Sequence, residues 1–197
     1  MAADGSAGDE MPDGEVGQVC FRGPQTFIGY VGDPAATAQA LSRDGWLYTG
    51  DMGAVGADGL RLAGRAKWIL KPRGYQVFPG DIEDHFCALT EAVQSVGVVG
   101  HEHELWSEAI VAFVEKRPGA ELTVADLRRH ARGLAAYMRP AHYVLLEPGQ
   151  MPLNRSAKTD VMRLQSMARE EVAVLRARGR WDRSPASRSD DSAAIGE

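Results

Sequence analysis

The chain has 197 residues, 44% hydrophobic and 25% charged, with a formal net charge of -5. That is the balance of a soluble globular protein long enough for one ordinary domain or two small ones. The acidic charge argues against nucleic acid as the main partner, and no apolar run reaches the ~18 residues of a membrane span. The opening "MAADGSAGDEMPDGE" is acidic and small rather than basic then apolar, so it is no signal peptide and a cytoplasmic location is expected. Cys20 and Cys87 stand far apart and outside any CxxC pattern. Each is expected as a free thiol in a reducing compartment and a small core residue.

In chain order, residues 1–13 read as a flexible tail, and "GQVCFRG" (17–23) alternates as a strand. "DPAATAQAL" (33–41) sets an Asp cap before a first-turn proline and a run of alanines, which predicts a short helix. Asp58-Gly59 marks a hairpin turn between "MGAV" and "LRLAG". Residues 14–66 are therefore expected to be β-rich with one helix.

"RAKWILKPRGYQVFP" (65–79) predicts a second hairpin, from Lys67 to Leu70, a turn at Pro72-Arg73-Gly74, and a return over Tyr75 to Phe78. Beyond it, Ile82, Phe86 and Leu89 have helical spacing within 80–92. Strands follow at 93–100 and 109–117, a Thr-capped helix at 123–137, a strand at 141–147 and a final helix at 159–178. Interleaved strands and helices predict a compact α+β domain over 67–175, and the non-periodic Arg, Ser and Asp of 176–197 a disordered tail. No internal repeat is visible.

Three polar clusters invite chemistry. "YTGD" (48–51) places Asp51 beside Gly50 at a strand end, where a carboxylate can accept two hydrogen bonds from a vicinal diol; alone it is more simply an Asx turn. "GRAK" (64–67) offers Arg65, whose planar fork suits a phosphate or a carboxylate, against the blander reading of a surface ion pair. "PLNRSAKTD" (152–160) carries Lys158 on a small-residue loop before the last helix, where a solvated lysine is the default. "HEHE" (101–104) has no third ligand in pattern, so His101 and His103 read as solvated loop residues and no metal site is expected.

Order and spacing together resemble the adenylate-forming enzymes: acyl-CoA synthetases, luciferases and peptide-synthetase adenylation domains. "GEVGQVCFRGPQTFIGYVGDPAATAQAL" leading into "YTGD", then "GRAKWILKPRGYQVFPGDIED", "ELWSEAIVAFVEKRPG", "LAAYMRP" and "MPLNRSAKTD", follow that family's order over about residues 14–175. The resemblance implies the family's small C-terminal α+β domain over 67–175, preceded at 14–66 by the incomplete β-rich end of the large AMP-binding domain. It implies that Tyr48, Thr49, Asp51 and Arg65 bind nucleotide, with Asp51 on the ribose hydroxyls, and that Lys67 sits at a hinge. It implies that Lys158 is the catalytic residue, reaching the α-phosphate and acyl carboxylate, while Lys71, Gly74 and Tyr75 belong to a second face used for thioester formation with CoA. One small domain would then serve two half-reactions by rotating.

The resemblance further implies ATP, Mg²⁺ and CoA, none held tightly by this chain alone. The family's phosphate loop, acyl pocket and magnesium-binding glutamate belong to a large N-terminal domain, and no Gly-rich loop followed by lysine occurs before residue 48. The chain is therefore expected to be inactive as a ligase by itself, with a separate N-terminal AMP-binding domain as a partner. Two alternatives stay open: a non-catalytic module docking on such a domain or on a carrier protein, and an adenylation-domain piece that loads an acyl or peptidyl carrier instead of CoA. Ala157 precedes Lys158 where the family usually has glycine, and Ser107 replaces another frequent glycine; a positive φ at Ala157 would be strained.

Overall fold

The computed structural model describes residues 1–182 and divides the chain into two units, Met1–Ile69 and Leu70 onward. In the first, β1 (Gly17–Phe21), β2 (Leu47–Gly56) and β3 (Gly59–Arg65) form an antiparallel sheet in that order. Gly56 pairs with Gly59 across the turn, and Gly59 takes φ +98°, which explains the Asp58-Gly59 signal. The helix α1 (Pro34–Ala40) begins as the sequence predicts: Asp33 accepts the Ala36 amide at 2.8 Å ahead of the first-turn proline.

This sheet buries little. Ala54 is the one buried hydrophobic residue among those described in the unit, while Val55, Leu60 and Leu62 are more than half exposed. Residues 1–13, expected as a flexible tail, carry hydrogen bonds to the rest of the unit. Gly5 O accepts from Arg43, the Ala7 amide donates to Asp44, and the Gly8 amide donates to the Tyr48 phenol at 2.9 Å.

The second unit is built on β4 (Val93–His103), β5 (Ser107–Lys116) and β6 (His142–Leu146), with β5 central, antiparallel to β4 and parallel to β6. Three helices, α2 (Pro79–Cys87), α3 (Val124–His130) and α4 (Val161–Ala177), cover the sheet. Successive residues of β5 point to opposite faces. Ile110, Ala112 and Val114 join Ile82, Phe86 and Leu127 in one cluster, and Ala109, Val111 and Phe113 join Leu164, Ala168 and Val172 in the other. Ile82, Phe86, Val111, Phe113, Val114, Leu127, Leu164 and Val172 are fully buried, and each large apolar side chain so buried is worth roughly 1.5–3 kcal/mol. Stability therefore resides in this unit. Glu83 on α2 accepts the Val98 amide at 2.9 Å, occupying a backbone group of the outer strand β4; burial pushes its carboxyl pKa up.

Several expectations need correction. The hairpin over 67–78 is reduced to one bridge, Leu70 with Val77, flanked by 3-10 turns at Ala66–Trp68 and Pro72–Gly74. Pro72 has no amide to donate, and Arg73 and Gly74 both take positive φ, so no ladder can extend inward. The helix expected over 123–137 ends at His130, continuing as 3-10 turns at Ala131–Gly133 and Ala136–Met138, yet Leu134 is still buried. Its start is a capping box between Thr123 and Asp126. Cys87 is exposed and Cys20 half-buried, so neither is a core residue. His101 and His103 lie at the end of β4 rather than on a loop, and His103 is buried. Of the 176–197 segment expected as a disordered tail, residues 176–182 are packed by Trp181, which is 1% exposed; residues 183–197 lie outside the described residues.

Candidate functional site

The candidate residues fall in both units. In the first, Asp51 and Arg65 are cross-strand partners on β2 and β3, and register alone brings them together. Arg65 Nη1 lies 2.9 Å from Asp51 Oδ1 and donates to Thr49 O at 3.4 Å. Gly50 takes φ +79°, letting the chain curl so that the Thr49 hydroxyl accepts the Asp51 amide at 3.0 Å. That hydroxyl also donates to Val19 O at 2.9 Å, tying the motif to β1.

Asp51 is thus oriented through one oxygen, and Oδ2 has no hydrogen-bond partner among the described residues. Of the bland readings, the surface ion pair is present, whereas the expected Asx turn is not: the turn is closed by the Thr49 hydroxyl rather than by the Asp51 carboxylate. The geometry nonetheless leaves a carboxylate oxygen and a guanidinium edge side by side, the donor and acceptor set that a ribose and a phosphate need. Lys67 is exposed, with its ammonium 4.7 Å from the Trp68 ring centre and two residues before the division at Ile69.

In the second unit, Lys71, Gly74 and Tyr75 lie on one exposed loop anchored by Leu70 and Val77 to the first cluster. The Lys71 amide donates to the Glu108 carboxylate and the Arg73 amide to Trp106 O at 3.0 Å. Tyr75 stacks on Tyr137, ring centres 4.3 Å apart and 12° from parallel. A side chain at Gly74 would meet open space, but its φ of +83° is one that L residues rarely adopt. Glycine is needed there for the backbone itself, before any ligand is considered.

Lys158 sits on the other anchor. Its loop is framed by Met151 and Leu164, both in the second cluster, and closed by a bridge between Leu153 and Thr159. Asn154 organises it: the side-chain oxygen accepts the Ser156 amide at 2.9 Å and the Lys158 amide at 3.1 Å, and its own amide donates to Lys158 O at 2.7 Å. Ala157 adopts φ +56°, so the strain anticipated from its replacing glycine is present; Ser107 does the same at +60°. Lys158 has no ion-pair partner among the described residues. The small residues of this loop signalled an exposed lysine, whereas nothing in the spacing singled out Asn154, Trp106 or Glu108 as the groups that hold the two loops.

Glu115 fixes the approach to the Lys158 loop. Its carboxylate accepts the Ser95 hydroxyl and the Gly149 amide at 2.6 Å and the Met151 amide at 3.4 Å. Burial pushes its pKa up, but these donors outweigh burial and hold it below the usual carboxylate value. The described residues contain no group of three or more His, Cys, Asp or Glu placed to hold a metal ion.

Comparison with known proteins places this arrangement. Residues 82–158 match the AMP-binding enzyme C-terminal domain. The chain is similar to the C-terminal portion of the adenylate-forming enzymes. It is 36% identical over 128 residues to 4-coumarate–CoA ligase 4 of Arabidopsis thaliana, covering 64% of this chain and 22% of that protein. It is 35% identical over 146 residues to 2-succinylbenzoate–CoA ligase of Geobacillus, covering 73% and 29%. Among solved structures, ATP-bound MatB from Rhodopseudomonas palustris matches with a TM-score of 0.76 at 28% identity, covering 83% of this chain and 32% of that one. The amide bond synthetase McbA from Marinactinospora thermotolerans matches at 0.74 and 31% identity, covering 81% and 32%. The chain thus spans about a quarter of the curated relatives it matches. No helix among the described residues is long and apolar enough to cross a membrane.

Proposed function

We propose that this chain is the C-terminal part of an acid–CoA ligase: a carboxylic acid and ATP give acyl-AMP and pyrophosphate, and CoA then displaces AMP to give the thioester. The observation that carries the reading is the placement of two candidate loops in one unit, one anchored through Leu70 and Val77 and the other through Met151 and Leu164 to opposite faces of a single sheet. A unit so built can present Lys158 for one half-reaction and the Lys71–Tyr75 loop for the other by turning, with Lys67 near the pivot. During adenylation Lys158 supplies a fixed positive charge where the carboxylate attacks the α-phosphate and negative charge develops. Asp51 accepts from the ribose hydroxyls, Arg65 orients Asp51 and faces the phosphate, and Tyr48 and Thr49 shape the same turn. In the second orientation the Lys71, Gly74 and Tyr75 loop borders the path of the CoA thiol.

The described residues do not make a magnesium site. The ATP-binding partner is a large AMP-binding domain. Without it, Asp51, Arg65 and Lys158 meet a nucleotide across an open solvent face, where each charged contact is worth about 0–1 kcal/mol. Binding of ATP to these 197 residues alone is then no better than about millimolar, and the chain alone is not a ligase. With a complementing large domain, Lys158→Ala should abolish acyl-AMP formation and leave thioester formation from supplied acyl-AMP largely intact. Equal loss of both steps would refute the two-face assignment.

A further inference from the structure

The C-terminal end of the described chain closes on the β4–β5 turn, outside the residues matched by the family domain. Trp181 is fully buried; its indole nitrogen donates to Glu102 O at 2.9 Å, and its carbonyl accepts from His103 Nε2 at 3.0 Å. Because His103 Nδ1 accepts the Leu105 amide at 3.2 Å, the neutral ring carries its proton on Nε2. Asp182 accepts the Glu104 amide at 3.2 Å and holds Arg176 at 3.0 Å, and Arg176 donates to Glu102 O at 2.9 Å. Residues 176–182 therefore satisfy backbone groups of Glu102 and Glu104 that a strand-to-strand turn otherwise leaves to water.

The same turn holds the loop assigned above to thioester chemistry. His103 stacks on Trp106 with ring centres 4.2 Å apart and planes 4° from parallel, and the Arg73 guanidinium lies 4.4 Å from the centre of the Trp106 ring. The Trp181 and His103 ring centres lie 5.6 Å apart with planes tilted by 57°, so Trp181, His103, Trp106 and Arg73 follow one another as neighbours in a single column. Arg73 has φ +55°, strained for a non-glycine residue, and Gly74 follows with another positive φ. A loop with those dihedrals is not held by its own preference; it depends on outside anchors, and Trp106 supplies both a ring and a carbonyl.

We propose that Trp181 is a positioning residue: the C-terminal segment acts as a strut that sets the order of residues 71–75 through the His103–Trp106–Arg73 column. Its consequence for thioester formation rests on the function proposed above; the strut itself does not. The test is amide hydrogen exchange on the full chain, which needs no ligase activity. Trp181→Ala should accelerate exchange at Lys71 and Arg73 by about tenfold while Val111 to Phe113 in β5 keep their protection. Trp181→Phe, which keeps a ring but loses the indole donor, should fall between. Faster exchange confined to Glu104 and Leu105, with Lys71 and Arg73 unchanged, would overturn the proposal. If Trp181→Ala loosens the whole unit, Trp106→Leu decides: it should free Arg73 while Glu104 stays protected, and an Arg73 amide that remains slow refutes the strut. Loosened amides with unaltered thioester formation in a complemented enzyme would instead tell against the function assigned to the loop.

Discussion

Ala157→Gly should stabilise the second unit, although alanine-to-glycine changes ordinarily do the reverse. Ala157 is exposed, so no packing is lost, and it sits at φ +56°, where an L residue is strained by roughly 1–2 kcal/mol. Glycine removes that strain but loosens the unfolded chain by about 0.4–1 kcal/mol. Relief of strain exceeds the added chain entropy, which leaves a net gain of about 0.5–1 kcal/mol. Ser107, exposed at φ +60°, should respond the same way to glycine. Ala88, also exposed but at φ -62°, provides the opposite case and should lose about 0.5–1 kcal/mol as Ala88→Gly. Exchange of the slowest β5 amides in the full chain reports global opening of this unit: slower for Ala157→Gly and Ser107→Gly, faster for Ala88→Gly. Faster exchange in all three would show that the left-handed backbone at Ala157 carries no strain and would refute the reasoning.

Gly97→Ala places a methyl group against Leu164, which is fully buried and cannot swing aside, and should cost about 1–3 kcal/mol by overpacking beneath the Lys158 loop, measured as a lower urea midpoint. Asp51→Asn breaks an exposed pair and should change stability by no more than about 1 kcal/mol, while weakening nucleotide contact in a complemented enzyme. Burial pushes the Tyr143 phenol up to about 12, so the folded state holds its proton longer than the unfolded state; the resulting stability should fall as pH rises from about 10 towards about 12, and Tyr143→Phe should remove that part of an alkaline denaturation curve. Glu115 has a depressed pKa, so its stabilisation is present above the unfolded carboxylate value and lost as pH falls through the folded one; acid unfolding should flatten in Glu115→Gln.

The sequence made legible what depends on local chemistry. Asp33 before Pro34, Asp58-Gly59 and the Thr123 cap each act on their own backbone within a few residues, and each element starts or turns where those residues stand. Residues 65–79 misled because alternation on both sides of Pro72-Arg73-Gly74 imitates a hairpin; the missing proline amide and two positive φ angles leave only the Leu70–Val77 bridge. The helix after Thr123 ends at His130 and gives way to 3-10 turns, while apolar spacing alone kept Leu134 on the buried stripe. Trp181 escaped because its partners Glu102 and His103 are nearly eighty residues away, and a charged, aperiodic stretch gives no sign of a single buried indole. Of the candidate site, Asp51 and Arg65 were brought together by strand register, which pattern can suggest. The opposite anchoring of the two loops follows from which side of β5 each flanking residue packs against, and only the fold decides that.

If these residues supply Lys158 to adenylation by a large domain and cannot perform it alone, ATP–pyrophosphate exchange must depend on both partners. Exchange with a panel of carboxylic acids should be measured for the chain alone, then with a large AMP-binding domain added, then with Lys158→Ala in that mixture. The expected outcome is no exchange by the chain alone, exchange on complementation, and its loss in the variant. Turnover by the isolated chain, or exchange that survives Lys158→Ala undiminished, would contradict the role given to Lys158 and to the large domain.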